Sequence, residues 1–405
     1  MLQVETIKNI VPELEQELLF YPFNKKEFLV QHNTLNYQVN INSQTYQLIK
    51  LIDGKCTIKE ISTTYKSEYN TDLSPQIIYT LLYKKLAKYG IIKQDEFRVE
   101  KRKRASYLKL SFIILRKEYI KYFTKYLTFL FHKKLFYALM IFMSLFIGFM
   151  IFNNYQLIIK SGSSIFSLNL ILYLFAFQFG TLFHELGHAA ACTKFGAKHG
   201  GIGFGFYLLT PVFFADVSDA WKLKPNERII VNLGGIYFEM ILASILLILY
   251  LFNSQIAFLI IPCLLILSTL YNLNPLLKFD GYWVLVDATN IPNLQSKAFT
   301  LLGNKLKGIK KMRFSFKTRK EIFLFIYGIV SVSFIFFFIG SILIYDPNSV
   351  FRFPLDLYGI ITDWKNFEIG KLTELILPLL FWYLVIKLVI NQLSIMKKKS
   401  KANDG

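Results

Sequence analysis

The densest chemistry in the chain lies in five residues. His184-Glu185-Leu186-Gly187-His188 sets two imidazoles four positions apart with a carboxylate between them, inside an apolar stretch. On an α-helix, positions i and i+4 stand one above the other, so both rings can reach one Zn²⁺ while Glu185 contacts a metal-bound water. Ionisable groups are costly in hydrocarbon and mark functional sites there, and three of these five positions carry one. The expectation is a zinc hydrolase centre built within a membrane. A catalytic zinc usually takes three protein ligands and one open position, so a third donor is needed. Asp280 is the candidate: it follows Asn272-Leu273-Asn274-Pro275-Leu276-Leu277-Lys278-Phe279, and Gly281 behind it lets the backbone turn closely. An Asp-Gly pair also serves as an ordinary turn at a helix end, and that reading stays open.

The elements that must position these residues are apolar. Of 405 residues, 54% are hydrophobic, with 40 Phe and 24 Tyr, a composition that marks an integral membrane protein. Apolar runs near 135–152, 167–190, 229–252, 255–277, 321–344 and 373–394 predict about six transmembrane helices. The fourth runs into Asn272, Asn274 and Pro275, an interruption tolerated where backbone lines a protein-enclosed site. Residues 278–320 carry ten Lys and Arg, and the tail has Lys397, Lys398, Lys399 and Lys401, whereas 153–165 contain only Lys160. Both termini are therefore expected in the cytoplasm, and the chain in the cell membrane as a multi-pass protein. On that topology His184 and His188 lie in the inner half of the second span and Asp280 at the inner end of the fourth. The net charge of +20 then follows from topology and attraction to anionic lipid, with no nucleic-acid partner required. Cys56, Cys192 and Cys263 are odd in number and scattered, which makes no disulfide framework. Cys192 shares a helical face with His188 and is read as a small residue packing between helices.

The first 100 residues differ. Met1 to Tyr21 contains Glu5, Glu13, Glu15 and Glu17 and lacks a signal pattern. Tyr37 to Ile41 alternates like a strand, Thr57-Ile58-Lys59-Glu60 forms a capping box, and Ser74-Pro75 opens another helix. A small α+β winged-helix-like module is expected at 25–100, a hairpin followed by helices near 45–53, 57–69 and 75–89. Lys101-Arg102-Lys103-Arg104 marks its end. Residues 101–134 read as a basic linker, with Tyr107 to Lys134 a helix lying on an anionic membrane surface. The transmembrane domain spans 135–395 and a basic tail 396–405. The fold class is thus an all-α polytopic membrane protein with a small α+β N-terminal domain.

The chain resembles the site-2 protease group of intramembrane zinc metalloproteases. Its metal helix is matched by His184-Glu185-Leu186-Gly187-His188. Its Asn-x-x-Pro-x-x-x-Leu-Asp-Gly pattern is matched in length by Asn272 to Gly281, with Phe279 in place of leucine. The branch of peptide zinc metalloproteases looks closer, through Pro211, Asp216-Val217-Ser218-Asp219-Ala220-Trp221 and Asn272-Leu273-Asn274-Pro275, over roughly residues 165–295. The resemblance implies His184, His188 and Asp280 as zinc ligands and Glu185 as the catalytic carboxylate. Where many members carry Gly-x-x-x-Asn, this chain has Gly235-Ile236-Tyr237-Phe238-Glu239. Glu239 either holds substrate backbone or tunes the zinc water, or else pairs structurally with a neighbouring helix. It is grouped with Asn272, Asn274 and Gly203 as a candidate substrate-binding residue. Gly203 belongs to a run of glycines alternating with Ile202, Phe204 and Phe206, a flexible strand suited to edge pairing with an extended peptide. Asp216 and Asp219 either bind substrate or metal, or cap turns in a membrane-dipping hairpin.

The N-terminal module resembles the PqqD-like domains that recognise leader segments of ribosomally made, modified peptides. Leu48 to Gly54, Thr57 to Ile61 and Leu81 to Ile92 carry that likeness. It implies a peptide adding a strand to the hairpin edge around Phe28 to Ile41. Together these readings predict a membrane zinc endopeptidase that cleaves a peptide precursor, in maturation of a bacteriocin-like product. Its partners would be that peptide or a membrane-protein substrate, the lipid bilayer, and export or modifying enzymes. The rivals are a regulated intramembrane protease acting on a signalling protein, and a non-proteolytic export or immunity protein. A di-iron oxidase is disfavoured, because only His32, His132 and His199 remain outside the motif.

Overall fold

The computed structural model describes residues 4–24, 27–32, 37–93, 108–162, 170–207, 210–309, 315–316, 318–345, 347–362 and five positions between 378 and 386. They fall into two compact units, the first built from Met1–Ser106, Ile113–Gly203 and Phe213–Leu267 and the second from Tyr107–Phe112, Phe204–Val212 and Ser268–Gly405.

In the first unit, helix α1 (Val4–Lys8) precedes a three-stranded antiparallel sheet of β1 (Leu18–Asn24), β2 (Glu27–His32) and β3 (Tyr37–Asn42). Val30 of the central strand stands opposite Phe20 and Val39. Helices α2 (Ser43–Lys50), α3 (Ile58–Tyr69) and α4 (Pro75–Tyr79) follow, and α4 runs on as a π-helix and a 3₁₀ turn to Tyr89. The starts are written in the sequence. Asn42 accepts the Thr45 amide, Thr57 and Glu60 form the reciprocal capping box, and Ser74 caps a helix with proline in its first turn. One face of each helix fills a common core with Val30 and Ile41, built from Leu48, Ile49, Ile58, Ile61, Tyr65, Ile78 and Leu82.

Strand β4 (Leu108–Arg116) and helix α5 (Lys117–Leu127) come next. A single surface helix was expected over 107–134, and its first part is instead a strand. The difference is tertiary: β4 joins β5 (Gly201–Tyr207) and β6 (Thr210–Ala215) in a sheet of order β4-β5-β6, and pairing overrides local helical tendency. Helix α5 buries Ile120 and Thr124 and exposes Tyr119, Tyr122, Phe123 and Tyr126. Lys101 to Arg104 lie outside the described residues.

Long apolar helices form the rest of this unit: α6 (Lys133–Gly162), α7 (Leu170–Lys194), α8 (Pro225–Asn253) and most of α9 (Ala257–Asn272). Phe131, Phe136, Tyr237 and Phe238 pack ring against ring at its centre. The second unit carries α10 (Asp280–Thr289), α11 (Leu294–Ile309), α12 (Arg319–Tyr345) and α13 (Pro347–Thr362).

Among the described residues, three helices are long and apolar enough to cross a membrane, in the segments Lys133–Ser161, Pro225–Asn253 and Arg319–Ser341. They are parts of α6, α8 and α12. Six spans are not reached. The expected fourth span is the 16-residue α9, which contains Pro262 and stops at Asn272. The expected sixth, 373–394, lies almost wholly outside the described residues. The connection expected after 345 forms α13.

Candidate active site

His184 and His188 sit on one face of α7, their ring centroids 4.8 Å apart and nearly perpendicular. Both are buried, at 5% and 6% exposure, in a helix that sequence periodicity alone leaves apolar on every side. The neighbouring helix makes this possible. α7 crosses α8 with Gly187 against Gly234, where a Cβ on either residue would run into the other's backbone. One position along, Gly235 leaves the space that the His184 ring fills.

That crossing decides which ring nitrogen carries hydrogen. His188 Nδ1 lies 2.8 Å from the Val231 carbonyl oxygen, which can only accept, so Nδ1 is the protonated nitrogen and Nε2 keeps its lone pair. His184 Nδ1 faces the fully buried carboxylate of Glu239 at 3.4 Å, which favours the same tautomer. The two Nε2 atoms lie 3.0 Å apart. At that distance the two nitrogens either share a proton in a hydrogen bond or face a common cation. Two Zn–N bonds of about 2.0–2.1 Å at a tetrahedral angle separate the nitrogens by about 3.4 Å, so the rings would have to part by a few tenths of an ångström to share one ion.

Asp280 begins α10. His184 and His188 offer two imidazole nitrogens on one face of α7, donors that suit zinc, and Asp280 is a carboxylate at the start of a helix in the second unit. The approach to Asp280 is a tight turn. Asn274 Oδ1 accepts the Leu276 amide at 2.9 Å, the Tyr327 hydroxyl donates to the Pro275 carbonyl at 2.9 Å, and Gly281 packs where a Cβ would strike the Leu273 carbonyl. Asn272 is the last residue of α9, so both asparagines lie at the helix break.

Glu185 is half-buried, and its Oε2 accepts the Ala215 amide of β6 at 2.5 Å. Gly203 lies in β5, the middle strand, which has partners on both sides. Among the described strands β6 is the outer one beside Glu185, so the open edge expected of the glycine strand is not its own. Cys192 points its Sγ at the Lys198 carbonyl oxygen, 3.5 Å away, rather than at the histidines. Asp216 accepts from the amide and hydroxyl of Ser218, an ordinary turn. Asp219 accepts the Lys198 amide at 2.7 Å and the Gln31 side chain at 3.0 Å and pairs with Lys222. Partial burial pushes its carboxyl upward, but those hydrogen bonds and the Lys222 charge outweigh it and hold it below the usual carboxylate range.

Sequence reasoning missed Val231, because a backbone carbonyl leaves no signature in side-chain types. Arg228 was also missed, although a buried cation in the first turn of an apolar helix is a signal worth reading.

The described residues define a largely helical chain with membrane-type apolar helices and a buried pair of histidines whose ring nitrogens suit a metal ion. Over 207 residues it is 29% identical to "Putative peptide zinc metalloprotease protein YydH" of Bacillus subtilis (strain 168), a match covering 49% of this chain and 80% of that protein. No protein-family model and no solved structure matches the chain.

Proposed function

We propose that this chain is a membrane-embedded zinc endopeptidase of the site-2 protease kind that cleaves a peptide precursor. The observation that carries the reading is the convergence of two imidazole lone pairs, each fixed from behind by an acceptor on α8, beside a carboxylate one position away. His184, His188 and Asp280 hold the zinc. Bound zinc would lower the pKa of a water and polarise the scissile carbonyl. Glu185 takes the water proton and returns it to the leaving amine. Glu239 orients His184 and raises its basicity, and Asn272 and Asn274 shape the wall beside Asp280.

The N-terminal module acts as a PqqD-like reader that brings a leader segment to the membrane, with both termini cytoplasmic. The similarity to a protein named as a peptide zinc metalloprotease supports a peptide substrate. A bacteriocin-like precursor, delivered by modifying enzymes and handed to an exporter, fits that module. Metal analysis of purified protein tests the site: one zinc per chain is expected, lost in His184→Ala and kept in Glu185→Gln, with maturation of the precursor abolished in both. Stoichiometric zinc in His184→Ala would overturn the assignment, and maturation by Glu185→Gln would point to a non-proteolytic role.

A further inference from the structure

The N-terminal module has a built seat on the helical region, and the seat leads by hydrogen bonds to Glu185. Phe23 of β1, 3% exposed, packs on Trp221 with ring centroids 5.6 Å apart. The Arg228 guanidinium lies 4.5 Å from the Phe23 ring centre and 5.4 Å from that of Trp221, while its Nη1 donates to the Leu223 carbonyl. A desolvated cation shared by two aromatic faces is a strong contact. Beside it, Gln31 of β2 donates to Asp219, and the same carboxylate receives the Lys198 amide. Both Gln31 and Arg228 are buried, so parting the surfaces would strip partners from buried polar groups.

The two chain segments gripped there are those flanking the β5–β6 hairpin. Lys198 stands just before β5, and the Gly200 amide donates to the Asp216 carbonyl at 2.7 Å. Asp219 lies in the 3₁₀ turn Ser218–Lys222 just after β6, where the Ala220 amide donates to the Val217 carbonyl and the Val217 amide to that of Ala215. Ala215 itself donates to Glu185. From module to carboxylate, every step is a direct contact between ordered groups.

We propose that docking of the N-terminal module holds Glu185 in place, with Asp219 and Arg228 as positioning residues that act through the Ala215 amide. The catalytic meaning rests on Glu185 being the proton carrier of the proposed peptidase, whereas the coupling itself does not. The module is then a part of the site's geometry in addition to a peptide reader.

Hydrogen–deuterium exchange on the full-length protein in detergent micelles tests the coupling without any substrate. Gln31→Glu sets a like charge against Asp219, and Phe23→Ala removes the stacked ring. Both changes lie on the module and leave α7 and α8 untouched. In each, protection is expected to fall at 213–217 as well as at 218–222, with α7, α8 and bound zinc unchanged. Gln31→Lys, which keeps a donor to Asp219, should retain protection. Glu185→Ala should loosen 213–217 and leave 218–222 protected. Opening of 218–222 with 213–217 still protected would overturn the proposal, as would equal loosening of α7 and α8. If Glu185→Gln leaves peptide maturation intact while the exchange pattern appears, the peptidase reading fails and the coupling survives.

Discussion

The N-terminal module and the helical region solve opposite problems with the same side chains. In the module, apolar residues such as Leu48, Ile58 and Ile61 are buried, and the helix ends are satisfied by Asn42, Thr57 and Ser74. In the helical region apolar residues lie on both sides. Phe142, Leu145, Phe149 and Phe152 of α6 face outward, while His184, His188, Arg228 and Glu239 are turned inward. Water selects the first arrangement and hydrocarbon the second. In the module polarity marks the surface, and in the helices it marks the site.

The largest expected effect breaks the chemistry and nothing else. Glu185→Gln should lower precursor cleavage by about 10²–10⁴-fold with zinc content unchanged, measured by mass spectrometry of product and by metal analysis. Next comes the module core: Leu48→Ala should cost about 2–5 kcal/mol in denaturant unfolding of the module, leaving zinc affinity as it was. Glu239→Gln should weaken zinc binding about 10–100-fold in competition with a chelator if Glu239 orients His184 toward the metal as proposed, and leave it unchanged if the pair only joins two helices. Thr57→Ala removes one cap and should cost about 1 kcal/mol, a change readable only in the water-exposed half. The subtlest is a dependence on pH. Asp219 is held below the usual carboxylate range, so its stabilising bonds are complete above that range and fade as pH falls through its lowered value. Acidification should therefore release the module from its seat, followed as faster exchange at 218–222.

How much of this was legible in the sequence depends on how far each interaction reaches. The caps of α3 and α4 were readable because each spans three residues. The pairing of His184 with His188 was readable because i and i+4 fix a shared face on any helix. Glu239 could be flagged only as a departure from a pattern, since its partner lies on another helix. Gln31 and Asp219 are 188 positions apart, and neither residue type announces the other. β4 was misread for the same reason: Leu108–Arg116 is a strand because of its neighbours in the sheet. Local rules recovered the module's helices and the shared face of His184 and His188, whereas the meetings of Gln31 with Asp219, of Glu239 with His184 and of β4 with its sheet had to come from the structure.

The Gly187–Gly234 crossing has a consequence for transplanting such a site. Two histidines grafted at the same spacing onto another apolar helix would have the ligands but not the acceptors that fix their tautomers. A designer, or a search for hidden centres of this kind, should look for a matched pair of small residues on a second helix, with an accepting backbone carbonyl just before them and an acid one turn beyond.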